Sequence, residues 1–185
     1  MKIIQKFSTH FDERKAKIDM IVFHATATNS IEETLKIFIE KEDGGRVSSH
    51  YVIDRDGTIY QVIPEEKRAW HAGVSSWNEI KEDINSHSIG IEFQCPPSGE
   101  KTFIDFSKEQ IDAGLLLCED IMNRYKIKPE NVVGHSDIAP LRKFDPGITF
   151  PWEIFVQKGL AINPDRRPVL DENGNNLFVK EQDKC

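Results

Sequence analysis

The densest group of residues able to do chemistry lies between Gly134 and Gly147. This stretch reads Gly-His-Ser-Asp-Ile-Ala-Pro-Leu-Arg-Lys-Phe-Asp-Pro-Gly and contains His135, Lys143 and Asp145. A neutral imidazole and a carboxylate are natural zinc ligands, and a catalytic zinc usually takes three protein ligands. A lysine two residues before the aspartate would bring positive charge to the place where a reacting carbonyl develops negative charge. The stretch therefore predicts metal-assisted hydrolysis.

A second histidine far away in the sequence is a natural partner for this group. The apolar run Ile21–His24 indicates a buried strand that ends in a histidine, and Asn131–His135 indicates another. Functional groups in α/β sheets gather at strand ends, so His24, His135 and Asp145 are expected to meet at one sheet edge. The competing interpretation is that each histidine is an ordinary hydrogen-bonded packing residue.

Three further residue types each have a functional and a structural interpretation. Glu92 lies in an otherwise apolar strand. On a buried face of the sheet its pKa would rise, and the residue would suit a general base. On a solvent-exposed face it is only the polar member of an alternating polar and apolar pattern. Lys143 is either a surface cation or a partner of the aspartate beside it. The functional interpretation of Trp70 and His71 is a wall of a sugar or peptide cleft. The structural interpretation is that Trp70 plugs the edge of the core. Among the other histidines, His50 is expected to be structural, and His10 and His87 to lie on the surface.

Helical and strand patterns alternate along the chain. Helix starts are indicated by Ser30 with Glu33, by Ser107 at the head of a helix that runs to about Tyr125, and by Pro151 at the head of a helix that ends at Gly159. A hairpin with an Asp-Gly turn at 56–57 is indicated within 51–62, and a further strand at 88–93. Alternation of this kind predicts an α/β protein with a central mixed β-sheet flanked by helices in a single domain.

Length and charge restrict the architecture and the class of partner. The chain of 185 residues is most simply one folded domain over residues 1–162, followed by an irregular polar tail over residues 163–185. The formal net charge of −7 argues against a nucleic-acid partner, which would require a basic face. No apolar run in the sequence approaches the roughly 20 residues that span a bilayer.

Cysteine usage and the first residues bear on the compartment. Cys95, Cys118 and Cys185 are odd in number and form no CxxC pair, so a disulfide framework is not expected and a reducing compartment is weakly favoured. Cys118 is expected in the core and Cys185 to be free. The sequence after Met1 has no apolar segment of the secretory type. This favours the cytoplasm if Met1 is the natural start, and the periplasm or cell envelope stays open if the sequence is a trimmed form.

A series of motifs in fixed order resembles a known family. They fall between about residues 20 and 155, at 21–26, 47–53, 56–57, 69–73, 88–92 and 134–147. In this order they resemble the zinc-dependent N-acetylmuramoyl-L-alanine amidases of the type 2 group. That family includes enzymes that recycle anhydro-muropeptides and a periplasmic lipoprotein branch, and it shares its fold with phage T7 lysozyme and the animal peptidoglycan recognition proteins.

The resemblance implies a fold, a cofactor and an activity. It implies the T7 lysozyme-like amidase fold and one Zn²⁺ ion held by His24, His135 and Asp145. It implies Glu92 as the catalytic glutamate and Lys143 as the catalytic lysine. The implied reaction is hydrolysis of the amide bond between N-acetylmuramic acid and L-alanine in peptidoglycan or muropeptides.

Substrate contacts and the exact substrate are open at this stage. Trp70 and His71 are candidates to wall the cleft near the sugar or lactyl group, and Arg46 is either a contact for a stem-peptide carboxylate or a solvated loop cation. A monomer is expected. Two other functions are considered: a module that binds peptidoglycan without cutting it, and a zinc peptidase that cuts within the stem peptide. Retention of the whole ligand set argues against the binding module.

Overall fold

A computed structural model describes residues 2–40, 47–99 and 102–163 of the protein. In chain order the strands are β1 (Ile3–Gln5), β2 (Phe11–Glu13), β3 (Met20–Ala25), β4 (Tyr51–Ile53), β5 (Ile59–Gln61), β6 (Lys67–Ala69), β7 (Ser88–Phe93), β8 (Pro97–Gly99), β9 (Thr102–Phe103) and β10 (Val132–Gly134). The described helices are α1 (Ile31–Glu40), α2 (Ile84–His87), α3 (Lys108–Tyr125), α4 (His135–Ile138) and α5 (Trp152–Gln157), with a 3-10 turn at Pro129–Asn131.

Six of these strands form one mixed sheet. Its order is β1-β5-β4-β7-β3-β10, and only the β4–β5 hairpin pairs antiparallel within it. Two small antiparallel sheets pair β2 with β6 and β8 with β9. The predicted α/β class with a central mixed sheet is confirmed. No helix in the described part of the chain is both long and apolar enough to cross a bilayer.

Local signals in the sequence begin the helices where they were expected. The Ser30 hydroxyl accepts a hydrogen bond from the backbone N–H of Glu33 at 3.2 Å. The Ser107 hydroxyl accepts one from the backbone N–H of Gln110 at the same distance. Each bond satisfies a donor that the first turn of a helix leaves without a partner.

The two central strands have both faces covered, and this determines where their side chains point. Every residue of β3 and β7 is buried, which explains why the sequence there is almost continuously apolar. Phe23 and its register partner Ile91 face the core shared with α3 and α5. Val22 belongs to the core on the opposite face. Because side chains alternate along a strand, His24 and Glu92 lie on that same opposite face as Val22.

Two expectations about individual histidines are decided by the fold. His50 is structural, as expected: its Nδ1 accepts from the Gly90 N–H at 3.0 Å, so its Nε2 donates to the Lys67 carbonyl at 3.0 Å. His10 is not on the surface. It is 3% exposed because β2 pairs with β6, which brings its ring into a stack on Trp70 with centroids 5.9 Å apart.

The remaining expectations divide between confirmed and untested ones. Cys118 is buried in the core, as expected. His87 is partly exposed, with its Nδ1 3.5 Å from an Asp19 carboxylate oxygen. Arg46, Cys185 and all of the predicted tail beyond residue 163 lie outside the described residues.

Candidate metal centre and active site

Three side chains from distant parts of the chain meet at one edge of the sheet. The Nδ1 atom of His24 lies 3.0 Å from Nδ1 of His135 and 3.0 Å from Oδ2 of Asp145. The His135 Nδ1 lies 3.1 Å from the same carboxylate oxygen. Both imidazoles are buried, and the aspartate side chain is 14% exposed. The structure therefore brings together the three residues that the sequence predicted as ligands.

Parallel strands explain this convergence. His24 lies near the carboxyl end of β3, and His135 follows directly after β10, which pairs with β3 in parallel. The loop bearing Asp145 is held against β10, where the Ser136 N–H donates to the Asp145 carbonyl at 2.9 Å. The approach requires a glycine at position 134, because a Cβ there would lie 2.8 Å from Cδ of Pro146.

The donor set fits a divalent metal ion of the zinc type. Donors about 2.0–2.1 Å from a tetrahedral zinc lie roughly 3.3 Å apart, close to the spacing of these three atoms. Burial, reinforced by His135, lowers the pKa of His24 to about 4, so its imidazole is neutral at pH 7, the form that binds metal. Burial opposes ionisation of Asp145, but the two adjacent imidazoles of His135 and His24 outweigh it and hold the pKa of that carboxyl well below its ordinary value. Two imidazoles and one carboxylate leave a coordination position open, as catalytic sites require.

Glu92 lies beside this group and is buried. It is the register partner of His24 on the neighbouring strand β7. Its side chain is 9% exposed, and among the described residues its Oε2 atom has no hydrogen-bond partner. Burial, followed by the negative charge of Asp145, raises the pKa of Glu92 well above its ordinary value, and Lys143 opposes this. The wet-face interpretation of Glu92 is wrong, and its environment is that of a candidate general base.

One open cleft gives access to all of these groups. Its volume is about 320 Å³, and Glu92 and Lys143 line it together with the three candidate ligands. Lys143 is only partly buried. Other residues that line the cleft include Thr26, Phe38, Trp70, His71, Phe103 and Arg142.

The two candidate substrate contacts among the described residues occupy different positions. Trp70 is partly exposed on the cleft, and its indole N–H donates to an Asp12 carboxylate oxygen at 2.8 Å. His71 also lines the cleft but is only 8% exposed, and its Nδ1 atom lies 3.0 Å from the His24 Nε2. The assignment of both as substrate contacts stays a prediction, but His71 has a contact with a candidate metal ligand that the sequence did not indicate.

Sequence reasoning also missed several residues that support the site. The Ala72 carbonyl accepts from His135 Nε2 at 3.0 Å and from Arg142 Nη2 at 2.8 Å. The Asn85 side-chain oxygen accepts from the backbone N–H groups of His71 and Ala72. A backbone carbonyl has no signature in a sequence. The sequence points to these supporting residues only through the motif at 69–73, which contains Ala72, and the motif at 134–147, which contains Arg142.

The fold and the site define an α/β protein with a His-His-Asp group able to hold a metal ion at the carboxyl ends of its parallel strands. The chain belongs to the N-acetylmuramoyl-L-alanine amidase family Amidase_2, whose model matches residues 14–148. The family resemblance seen in the motifs is confirmed.

Two named relatives match this chain in sequence. The chain is 38% identical over 184 residues to the N-acetylmuramoyl-L-alanine amidase AmiD of Escherichia coli K12, covering 90% of this chain and 64% of AmiD. It is 43% identical over 110 residues to the 1,6-anhydro-N-acetylmuramyl-L-alanine amidase AmpD of Citrobacter freundii, covering 60% of this chain and 56% of AmpD. The chain thus spans less than two thirds of the length of either relative.

A solved complex extends the comparison to three dimensions. The structure of E. coli AmiD with the substrate anhydro-N-acetylmuramic acid-L-Ala-D-gamma-Glu-L-Lys matches with a TM-score of 0.69 and 34% identity. The match covers 87% of this chain and 70% of that one. The predicted amidase fold is confirmed.

Proposed function

We propose that this protein is a zinc-dependent N-acetylmuramoyl-L-alanine amidase. It hydrolyses the amide bond between the lactyl carbonyl of N-acetylmuramic acid and the L-alanine of the stem peptide, in peptidoglycan or in muropeptides. The observation that carries the proposal is the meeting of His24, His135 and Asp145 within 3.1 Å of one another. Beside them lies a buried oxygen of Glu92 that has no hydrogen-bond partner within the described part of the chain. Family membership and the substrate in the AmiD complex support the choice of bond.

The three ligands and the ion have separable roles. His24, His135 and Asp145 would hold one Zn²⁺ ion, with neutral imidazoles and an ionised carboxylate. When bound, the ion supplies Lewis-acid polarisation of the carbonyl and brings the pKa of a bound water to about 7. Burial of the two imidazoles keeps competing water away from their ligand atoms.

Glu92 moves the proton. Its carboxylate accepts a proton from the attacking water as the oxygen–carbon bond forms. It then delivers that proton to the L-alanine nitrogen as the carbon–nitrogen bond breaks, which leaves a lactyl carboxylic acid and a free amine. A pKa raised by burial suits both steps, because the group must first take a proton and then give it back.

Lys143 stabilises the negative charge of the tetrahedral intermediate. Its side chain lines the cleft with Glu92 and the ligands, and an ammonium group is suited to the developing oxyanion. Trp70 forms the cleft wall for the sugar or lactyl group. His71 contributes to the same wall, and Arg46 contacts a carboxylate of the stem peptide. The catalytic unit is a single domain within residues 1–162 and acts as a monomer.

Product masses test the proposed bond. The metal-loaded protein is incubated with a purified muropeptide, and the products are identified by mass spectrometry. An intact muramic lactyl acid and a free stem peptide with an L-alanine amino terminus are expected. Products cut inside the stem would show a peptidase instead, and binding without any cleavage would show a recognition module.

A further inference from the structure

The two histidine ligands have their outer nitrogens held by adjacent residues of one short segment. The His24 Nε2 atom lies 3.0 Å from Nδ1 of His71, and the His135 Nε2 atom lies 3.0 Å from the carbonyl oxygen of Ala72. If both ligands present Nδ1 to a metal, both Nε2 atoms carry hydrogen and require an acceptor. The Ala72 carbonyl is an acceptor in every state, but His71 is one only in a single tautomer.

The surroundings of His71 select that tautomer. The Ser88 hydroxyl donates to the Ile84 carbonyl at 2.7 Å, and a carbonyl can only accept. The Ser88 oxygen is therefore left to accept from His71 Nε2, 3.2 Å away. With its hydrogen on Nε2, His71 has a lone pair on Nδ1 and accepts from His24. The Ile84 carbonyl thus sets the direction of the hydrogen bonds that run from His24 through His71 to Ser88.

The segment is also held rigidly in place. The Asn85 side-chain oxygen accepts from the N–H of His71 at 3.1 Å and of Ala72 at 2.8 Å. Arg142 donates to the Ala72 carbonyl from the other side at 2.8 Å. His71, Asn85 and Ser88 are all buried. Gly90 leaves room for the imidazole, since a Cβ there would lie 2.6 Å from Cγ of His71.

We infer that His71 is a positioning residue that, together with the Ala72 carbonyl, sets the tautomer and orientation of both histidine ligands before metal binds. It acts through His24 and need not touch the substrate. The inference rests on the metal site of the proposed function, but it concerns metal affinity rather than the bond that is cut.

Two isosteric substitutions separate the acceptor from simple space filling. In His71→Asn the amide oxygen can take the place of the imidazole Nδ1 and accept from His24. In His71→Gln the longer side chain reaches the position of Nε2 and keeps the contact to Ser88, but the acceptor is lost. Loss of an outer partner typically weakens metal binding by about 10- to 100-fold. We expect that loss for His71→Gln and a much smaller one for His71→Asn.

Zinc dissociation constants are measured by competition with a chelator of known affinity, with unfolding of the metal-free variants followed in parallel. His87→Asn, which changes a partly exposed histidine paired with Asp19, is the matched control and should leave zinc affinity unchanged. If His71→Gln does not fold, Ser88→Ala serves instead, because it keeps the ring but removes the group that sets its tautomer. Weaker zinc binding by Ser88→Ala is then expected.

The inference is overturned if His71→Gln, or Ser88→Ala in its place, binds zinc as the wild type does. It is also overturned if His71→Asn and His71→Gln lose the same affinity, because a role in packing alone predicts no difference between them. Failure of the proposed function looks different: zinc would bind with the expected ranking of variants, yet the loaded wild type would not cleave muropeptide.

Discussion

Replacing Glu92 with glutamine is expected to separate catalysis from metal binding. The substitution keeps the size of the side chain but removes the carboxylate that accepts the proton of the attacking water. Positioned general acid–base groups contribute about 10²- to 10⁴-fold to turnover. We therefore expect Glu92→Gln to lose about two to four decades in turnover while its zinc content stays at the wild-type level, since Glu92 is not one of the three grouped ligands.

The same substitution should stabilise the metal-free protein. Burial raises the pKa of Glu92 in the folded state, and Asp145 adds to this effect. The folded metal-free protein then binds a proton that the unfolded chain releases. Its free energy of unfolding must fall as pH rises from the ordinary pKa of glutamate towards the raised one. Each pKa unit is worth about 1.4 kcal/mol, and in a chain of this size a gain of 1 kcal/mol raises the melting temperature by roughly 2–4 °C.

Three assays on one pair of proteins decide the matter. Turnover is followed by release of stem peptide, zinc is quantified by elemental analysis, and unfolding of the metal-free proteins is measured between pH 4 and pH 8. The pH-dependent loss of stability should be smaller in Glu92→Gln than in the wild type. Turnover within about tenfold of the wild type would refute the role in proton transfer. A metal-free variant that is less stable than the wild type at pH 8 would refute the argument from burial.

Three further substitutions test other parts of the site. Lys143→Ala should lose about two to three decades in turnover, because one oxyanion donor is worth roughly 3–4 kcal/mol, and a zinc assay should find its metal retained. Asp145→Ala should fail to retain zinc after dialysis, and a variant with stoichiometric metal would contradict its role as a ligand. Gly90→Ala would place a Cβ 2.6 Å from the His71 ring and 2.7 Å from the Ser49 hydroxyl. Overpacking of this kind costs about 1–3 kcal/mol, so thermal unfolding should show a clear loss of stability, and an unchanged melting temperature would contradict the close contact.

Much of the candidate site could be predicted because strand ends are visible in the sequence. His24 and His135 each end an apolar run, and parallel strands bring such ends to one edge. The side-by-side register of His24 and Glu92 could not be predicted, because strand order depends on long-range packing rather than on any local pattern. For the same reason, the pattern of polar and apolar residues around Glu92 does not decide from sequence whether its side chain is buried.

The errors and omissions have a common physical origin. The sequence predicts His10 on the surface because no neighbouring residue supports a functional role, but pairing of β2 with β6 covers it. His71 was considered only as a cleft wall, since its contacts to His24 and Ser88 join residues 47 and 17 positions away. Contacts of this kind arise from tertiary packing, which the composition of a motif does not reveal.

The most direct test of the central claim is a zinc titration of the metal-free protein with 1,6-anhydro-muropeptide as the substrate. Release of free stem peptide should be absent with chelator, rise in proportion to added zinc and reach its plateau at one ion per chain. Release that persists without metal, or no release from either this muropeptide or intact peptidoglycan at full zinc occupancy, would contradict the assignment as a zinc-dependent muramoyl-alanine amidase.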